Sequence, residues 1–152
     1  MLRHAVMVLL MVFVCGTAAA DIEIGAVTIR NSSNSSVGRI ESDGTIRNSS
    51  NGSIGKIERS GVVRNGSNSS IGRVDSDGTI RNSSNSSIGR VDSDGTIRNS
   101  SNSSVGKIER DGTIRNSSNS SVGKIEGYSP RLRHMVAAAL FFGGSASVLK
   151  LD

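Results

Sequence analysis

GTIRNSSNGSIGKIERS, residues 44–60, is one copy of a 17-residue unit that decides how this chain folds. The unit begins at Val27, Gly44, Gly61, Gly78, Gly95 and Gly112, which makes six copies, the last one short. In the quoted copy, Thr45-Ile46-Arg47-Asn48 and the segment 54–58 carry β-branched residues at their apolar positions, as short strands do. Ser49-Ser50-Asn51 and Ser42-Asp43-Gly44 lie between strands. They are turn residues: Gly and Asn accept a left-handed backbone, and Ser and Asp hydrogen-bond locally. Each copy therefore reads as two strands and two tight turns.

Register follows from which side chains each loop brings together. Taking Ser42-Asp43-Gly44 as a three-residue loop with Gly44 left-handed sets Glu41 across from Thr45 and Ile40 across from Ile46. A two-residue loop would set Ile40 against Arg47, exchanging the faces of a strand. The three-residue loop also places Glu41 diagonal to Arg47, within reach of an ion pair. The same reasoning at Ser49-Ser50-Asn51, with Asn51 left-handed, pairs Ile46 with Ile54.

Ile54 and Ile57 are three residues apart, so a straight strand would point them to opposite faces. A glycine stands between them in every copy, at Gly38, Gly55, Gly72, Gly89, Gly106 and Gly123. These glycines, with the turn glycines Gly44, Gly61, Gly78, Gly95 and Gly112, are the residues assigned a structural role. The expectation is that the second strand bends at this glycine and turns both apolar residues inward. The alternative is that glycine merely lets neighbouring backbones approach.

No aromatic residue occurs inside the repeats, and three β-branched residues per unit cannot bury themselves alone, so neighbouring units must cover one another. A parallel solenoid would stack equivalent Arg residues about 4.8 Å apart as like-charge ladders. An up-and-down chain of hairpins separates them by two strands, and closing it removes the free edges. The fold class expected is all-β: tandem 17-residue β-hairpin repeats in a closed or nearly closed radial array, flower- or barrel-like. β-Branched residues should face the axis, with Ser/Asn turns at the rims and a short C-terminal apolar cap. Such a ring should be a compact monomer.

The chain opens with Arg3 and His4, an apolar run from 5 to 14, and Ala18-Ala19-Ala20 before Asp21, the order of a secretory signal peptide over residues 1–20. The single cysteine, Cys15, follows Val14, too large a residue for a lipoprotein signal, and is read as leaving with that segment. Residues 21–26 are a lead-in, 27–126 the six-copy repeat domain, and 127–152 a C-terminal apolar segment and tail. Ser129 and Pro130 signal a helix start, with 131–142 helical and Gly143-Gly144 ending it. Its apolar part is too short to span a bilayer. A cap or plug for the array is the first reading. Contact with a membrane surface is the second, because Arg131, Arg133 and His134 flank an apolar run.

The signal peptide, the array G-[TV]-[IV]-R-N-S-S-N-x-S-[IV]-G-[KR]-[IV]-[ED], then Gly127-Tyr128 and an Ala-rich stretch ending in Phe141-Phe142, resembles the exported bacterial five-fold β-flower proteins. The resemblance covers roughly residues 1–142 and implies short hairpins around an axis. It implies no activity. Six copies stand against the five of the family's name, leaving open which number closes, and the tail past 143 departs from the usual Phe-rich end.

Asp75-Ser76-Asp77-Gly78 suggests a calcium loop, but aligning Gly78 puts Arg73 at the first ligand and Ser84 where a bidentate Glu belongs, so a turn is the better reading. Twelve Asn-x-Ser sequons follow from one repeated turn, and carry no glycosylation argument in a bacterial chain. His4 and His134 stand alone, and no hydroxyl has a base beside it. The chain is expected to be no enzyme, with no catalytic residue, cofactor or metal. The net charge of +5 is spread in alternating ranks without aromatic platforms, which argues against nucleic acid. The expectation is an exported protein, in the periplasm, at the outer membrane or outside the cell. Its role is read as non-enzymatic and structural, with an envelope component as partner. The alternative is a binding module for glycans or surface adhesion, using the Ser/Asn/Arg turns.

Overall fold

The computed structural model describes residues 21–143. The signal segment expected over 1–20 and the tail after 143 lie outside the described residues. Each copy forms two antiparallel strands. These are β1 (Val27–Asn31), β2 (Ser36–Ile40), β3 (Thr45–Asn48), β4 (Ser53–Ile57), β5 (Val62–Asn65), β6 (Ser70–Val74), β7 (Thr79–Asn82), β8 (Ser87–Val91), β9 (Thr96–Asn99), β10 (Ser104–Ile108), β11 (Thr113–Asn116) and β12 (Ser121–Glu126). Each strand pairs with its chain neighbours, and β1 pairs with β12, so the sheet is a closed barrel. The seam uses the same ladder as the interior of the array. Ile29 faces Ile125 and Arg30 faces Lys124, just as Ile40 faces Ile46 and Arg39 faces Arg47. Six hairpins close the ring, and among the described residues no strand edge is left unpaired.

Both turns are of the expected length. The Glu41 N–H donates to the Thr45 carbonyl and the Gly44 N–H to the Glu41 carbonyl, each at 2.9 Å. Gly44 has φ +87°, and the other four turn glycines lie between +85° and +89°. Position 27 has no such turn before it; there the unit starts with Val27, which is buried across from Ile40. At the opposite rim Asn51 is left-handed, at φ 66°, and the Asn48 side-chain carbonyl accepts the N–H groups of Ser50 and Gly52 at 3.1 and 2.9 Å.

One expected pairing is corrected. Ile46 lies across from Gly55, not Ile54, because the register slips between Ile46 and Arg47 and Arg47 meets Ser53. Ile54 is the extra residue of a bulge, half-buried against the core, and the strand starts at Ser53 and ends at Ile57. The bulge supplies the bend. Gly55 has no left-handed φ; its place is set by space, because a Cβ there would overlap the Arg64 carbonyl oxygen. Close approach of backbones, the alternative reading, is what this glycine serves.

Every strand sends a β-branched residue inward, β1 sending both Val27 and Ile29, and none of these is more than 6% exposed. Each such burial is worth roughly 1.5–3 kcal/mol against the unfolded chain. Side chains alone just fill a barrel of about eight strands; this one has twelve, so its lumen needs a filler. Helix α1 (Arg133–Phe142) supplies it, entered through a 3-10 turn over Pro130–Leu132. Residues 135–140 are consecutive and all buried. A helix packed against one surface keeps a wet face; burial all round places α1 inside the ring. Phe141 and Phe142 lie over the bulge glycines Gly89 and Gly72. The Ser129 side chain makes no capping hydrogen bond, although its carbonyl accepts the Leu132 N–H at 2.9 Å.

The lead-in seats itself at the rim where α1 enters. Ile22 is buried, its N–H donates to the Arg59 carbonyl at 2.8 Å, and the Gly25 N–H points at the Met135 sulfur at 3.4 Å.

Candidate functional site

The inward residues of the described ring are apolar, and its charged and hydroxyl groups lie on the outer wall and two rims. The wall is a charged belt. Between hairpins, basic residues stand directly opposite one another: Arg39 and Arg47, Lys56 and Arg64, Arg73 and Arg81, Arg90 and Arg98, Lys107 and Arg115, Lys124 and Arg30. Separating equivalent Arg residues thus did not remove like-charge contacts, since non-equivalent ones meet. An acid answers each pair. Asp75 bridges Arg73 and Arg81 at 2.9 and 2.8 Å, and Asp92 bridges Arg90 and Arg98 at 2.8 and 2.7 Å. Glu41 does the same for Arg39 and Arg47, the diagonal ion pair expected from the register. Arg47, with Arg39 beside it, holds the Glu41 carboxyl below its ordinary range.

The odd-strand arginines also reach the other rim. Arg47 Nη1 donates to the Asn51 carbonyl at 3.1 Å, and Arg64, Arg81, Arg98 and Arg115 repeat the contact. One guanidinium thereby ties an acid at one end of the hairpin to the turn at the other. Exposed pairs of this kind contribute about 0–1 kcal/mol each. Each facing pair of cations shares a single acid, so the belt keeps a positive charge that is dispersed evenly around the ring.

The two rims differ. One carries Asp43, Asp77, Asp94 and Asp111, whose carboxylates accept the backbone N–H of the Thr two residues on at 2.9–3.0 Å. Asp43 is held at about 2, chiefly by the Thr45 N–H and then by its hydroxyl. The calcium-loop residues are committed likewise, Asp75 to two arginines and Asp77 to Thr79. The other rim is six neutral turns of exposed Ser and Asn.

The sequence model of the family described as 5-fold beta-flower protein matches residues 17–93 and again 63–139. The chain belongs to that family. The two matches overlap over residues 63–93, in the middle of the repeat array. In this β-flower the ring closes with six hairpins, so the family's descriptor does not count its units. Comparison with curated proteins and with solved structures gives no match.

All eleven glycines singled out from the sequence are in the β-flower wall, at the bulges or the turns, and they shape the ring without gathering into a site. Sequence reasoning did not find the rim around Arg110, Tyr128 and Arg133, where the non-repeating segment lands on a turn. The signal was present: the first turn position is Ser at 42, 76 and 93 but Arg at 59 and 110. Arg59 is where the lead-in docks, and Arg110 is where the C-terminal segment docks.

Proposed function

We propose that this β-flower is an exported, non-enzymatic structural protein of the bacterial envelope. The observation that carries the reading is the filled lumen. A barrel that serves a small molecule keeps its interior open, whereas residues 135–140 occupy this one from within. What remains is a closed ring whose wall carries evenly spaced ion pairs. Strands of four to six residues, with Arg, Lys, Ser and Thr facing out, have neither the length nor the apolar band of a lipid-facing barrel.

Expression of the full chain in a bacterium, followed by fractionation and N-terminal sequencing, tests the reading. Envelope or extracellular material beginning at Asp21 is expected. Cytoplasmic retention with Met1 in place, or a lipid on Cys15, would overturn it.

A second reading, a multivalent glycan-binding ring, is favoured by the six Ser/Asn turns on one rim, since repeated weak contacts add through avidity. A glycan array probed with the mature protein separates the two. Binding abolished when Asn and Ser of three neighbouring turns are replaced by Ala selects the binding module.

A further inference from the structure

The ring is nearly six-fold, but non-repeating residues interrupt its acidic rim: one groove, of about 630 Å³, lies at the seam beside Ala26 and Gly127, and another, of about 590 Å³, lies where the C-terminal segment meets the turns. The second is within the roughly 300–1,000 Å³ range of ligand sites. Turn residues Asp94 and Arg110, strand-end residues Lys107 and Glu109, and Tyr128 and Arg133 of the C-terminal segment all line it. The two acids are engaged elsewhere. Asp94 accepts from the Thr96 N–H and hydroxyl at 3.0 Å and lies 3.7 Å from Lys107, and Glu109 is 2.8 Å from Arg115.

The two guanidiniums are less engaged. Arg110 is exposed at the turn tip. Arg133 gives Nη1 to the Pro130 carbonyl at 3.0 Å, while its Nε is shielded from solvent and has no partner among the described residues. Arg133 also begins α1, a ten-residue helix with no acidic residue in its first turn and no side-chain cap, so the positive end of its dipole faces the same rim. The half-buried Tyr128 ring supplies a flat apolar wall beside them.

We propose that this groove binds an oxyanion, a carboxylate or phosphate carried on a small molecule. Arg110 and Arg133 would grip the anion and Tyr128 would pack against its carrier. Planar guanidinium forks suit both anions, and the site goes beyond the structural role proposed above without depending on it. The departure of Arg110 from the repeat supports the assignment. A Ser suffices for the turn at 42, 76 and 93, so the fold itself does not require Arg at 110.

The chain contains one tyrosine and no tryptophan, so tyrosine emission reports on this groove alone. Mature protein titrated with inorganic phosphate, and separately with glucuronate, should give a saturable change in emission with at least one of them. The probe that saturates identifies the anion. Arg110→Ser should weaken the midpoint at least tenfold, and it installs a residue the fold already accepts at three equivalent turns. Arg133→Gln should weaken it similarly. Arg59→Ser, the same change at the turn under the lead-in, should leave it unchanged. A linear, unsaturated response to both probes, or an unaltered midpoint in Arg110→Ser, would overturn the proposal.

Discussion

The wall and the plug of this protein are built on opposite principles. In the wall, six hairpins repeat the same turns, bulges and ion pairs, and each position can be read from any copy. The plug occurs once, has no symmetry, and meets each copy differently. Gly89 and Gly55 occupy the same repeat position, yet a Cβ at Gly55 would meet only the neighbouring carbonyl, whereas at Gly89 it would also strike the Phe141 ring. Arg59 and Arg110 replace Ser at the two turns where the non-repeating ends dock. A symmetric shell around an asymmetric filler therefore makes chemically equivalent positions unequal.

The largest effect should come from changing the number of units while keeping the plug. Deleting residues 78–94 in phase removes β7 and β8, and β8 is one of the strands that touch α1. A five-hairpin ring has a narrower lumen, and a close-packed interior does not absorb overpacking. Thermal unfolding of the deletion should lose cooperativity, or its midpoint should fall by more than about 10 °C, about 2–3 kcal/mol for a domain near this size. A smooth, small drop would mean that wall and plug are independent, and the comparison would break.

Next in size is the contrast between equivalent glycines. Gly89→Val should destabilise by about 3 kcal/mol or prevent folding, through overlap with the Arg98 carbonyl and the Phe141 ring. Gly55→Val lacks the aromatic clash and should cost measurably less. Ser86→Ala, an exposed turn side chain, should stay within about 0.5 kcal/mol. Urea melts compare the three. Equal midpoints for Gly89→Val and Gly55→Val would remove the plug from the account of these glycines.

The wall was largely legible because its information is local and repeated. Ile40 against Ile46, the left-handed Asn51 and the Glu41–Arg47 pair all follow from loop length and alternation along one hairpin. The bulge was not placed, because the residue that becomes extra depends on the neighbouring strand: Gly55 must fit between Ile46 on one side and Asn65 on the other. The plug was legible as an apolar helix but not as a helix enclosed on all sides. Lumen width depends on how many strands close, which is a property of the whole ring. Arg110 was not singled out, since only the fold brings Tyr128 and Arg133 beside it.

The smallest effect sharpens the comparison within the wall, between its two rims. The acidic rim is tied by carboxylates and the other rim by Asn carbonyl groups that do not titrate. Asp43 falls from an ordinary 3.8 to about 2, and Asp77, Asp94 and Asp111 are lowered by the same Thr contacts. A carboxyl depressed in the folded state contributes stability that is fully present above its ordinary value and is lost as pH falls through the folded one. The window is therefore pH 4 down to 2. Hydrogen-exchange protection at Thr45, Thr79, Thr96 and Thr113, corrected for intrinsic rates, should drop severalfold across it. Ser50 and Gly52, bonded to the Asn48 side chain, should keep theirs. Copy three supplies an internal control. Ser60 stands where the others have Asp, and Val62 stands where they have Thr, so the Val62 amide should be indifferent to acid. Equal loss at Thr45 and Ser50 would mean that acid opens whole hairpins. Unchanged protection at Thr45 down to pH 2 would mean that the Asp contacts hold nothing that the backbone does not hold already.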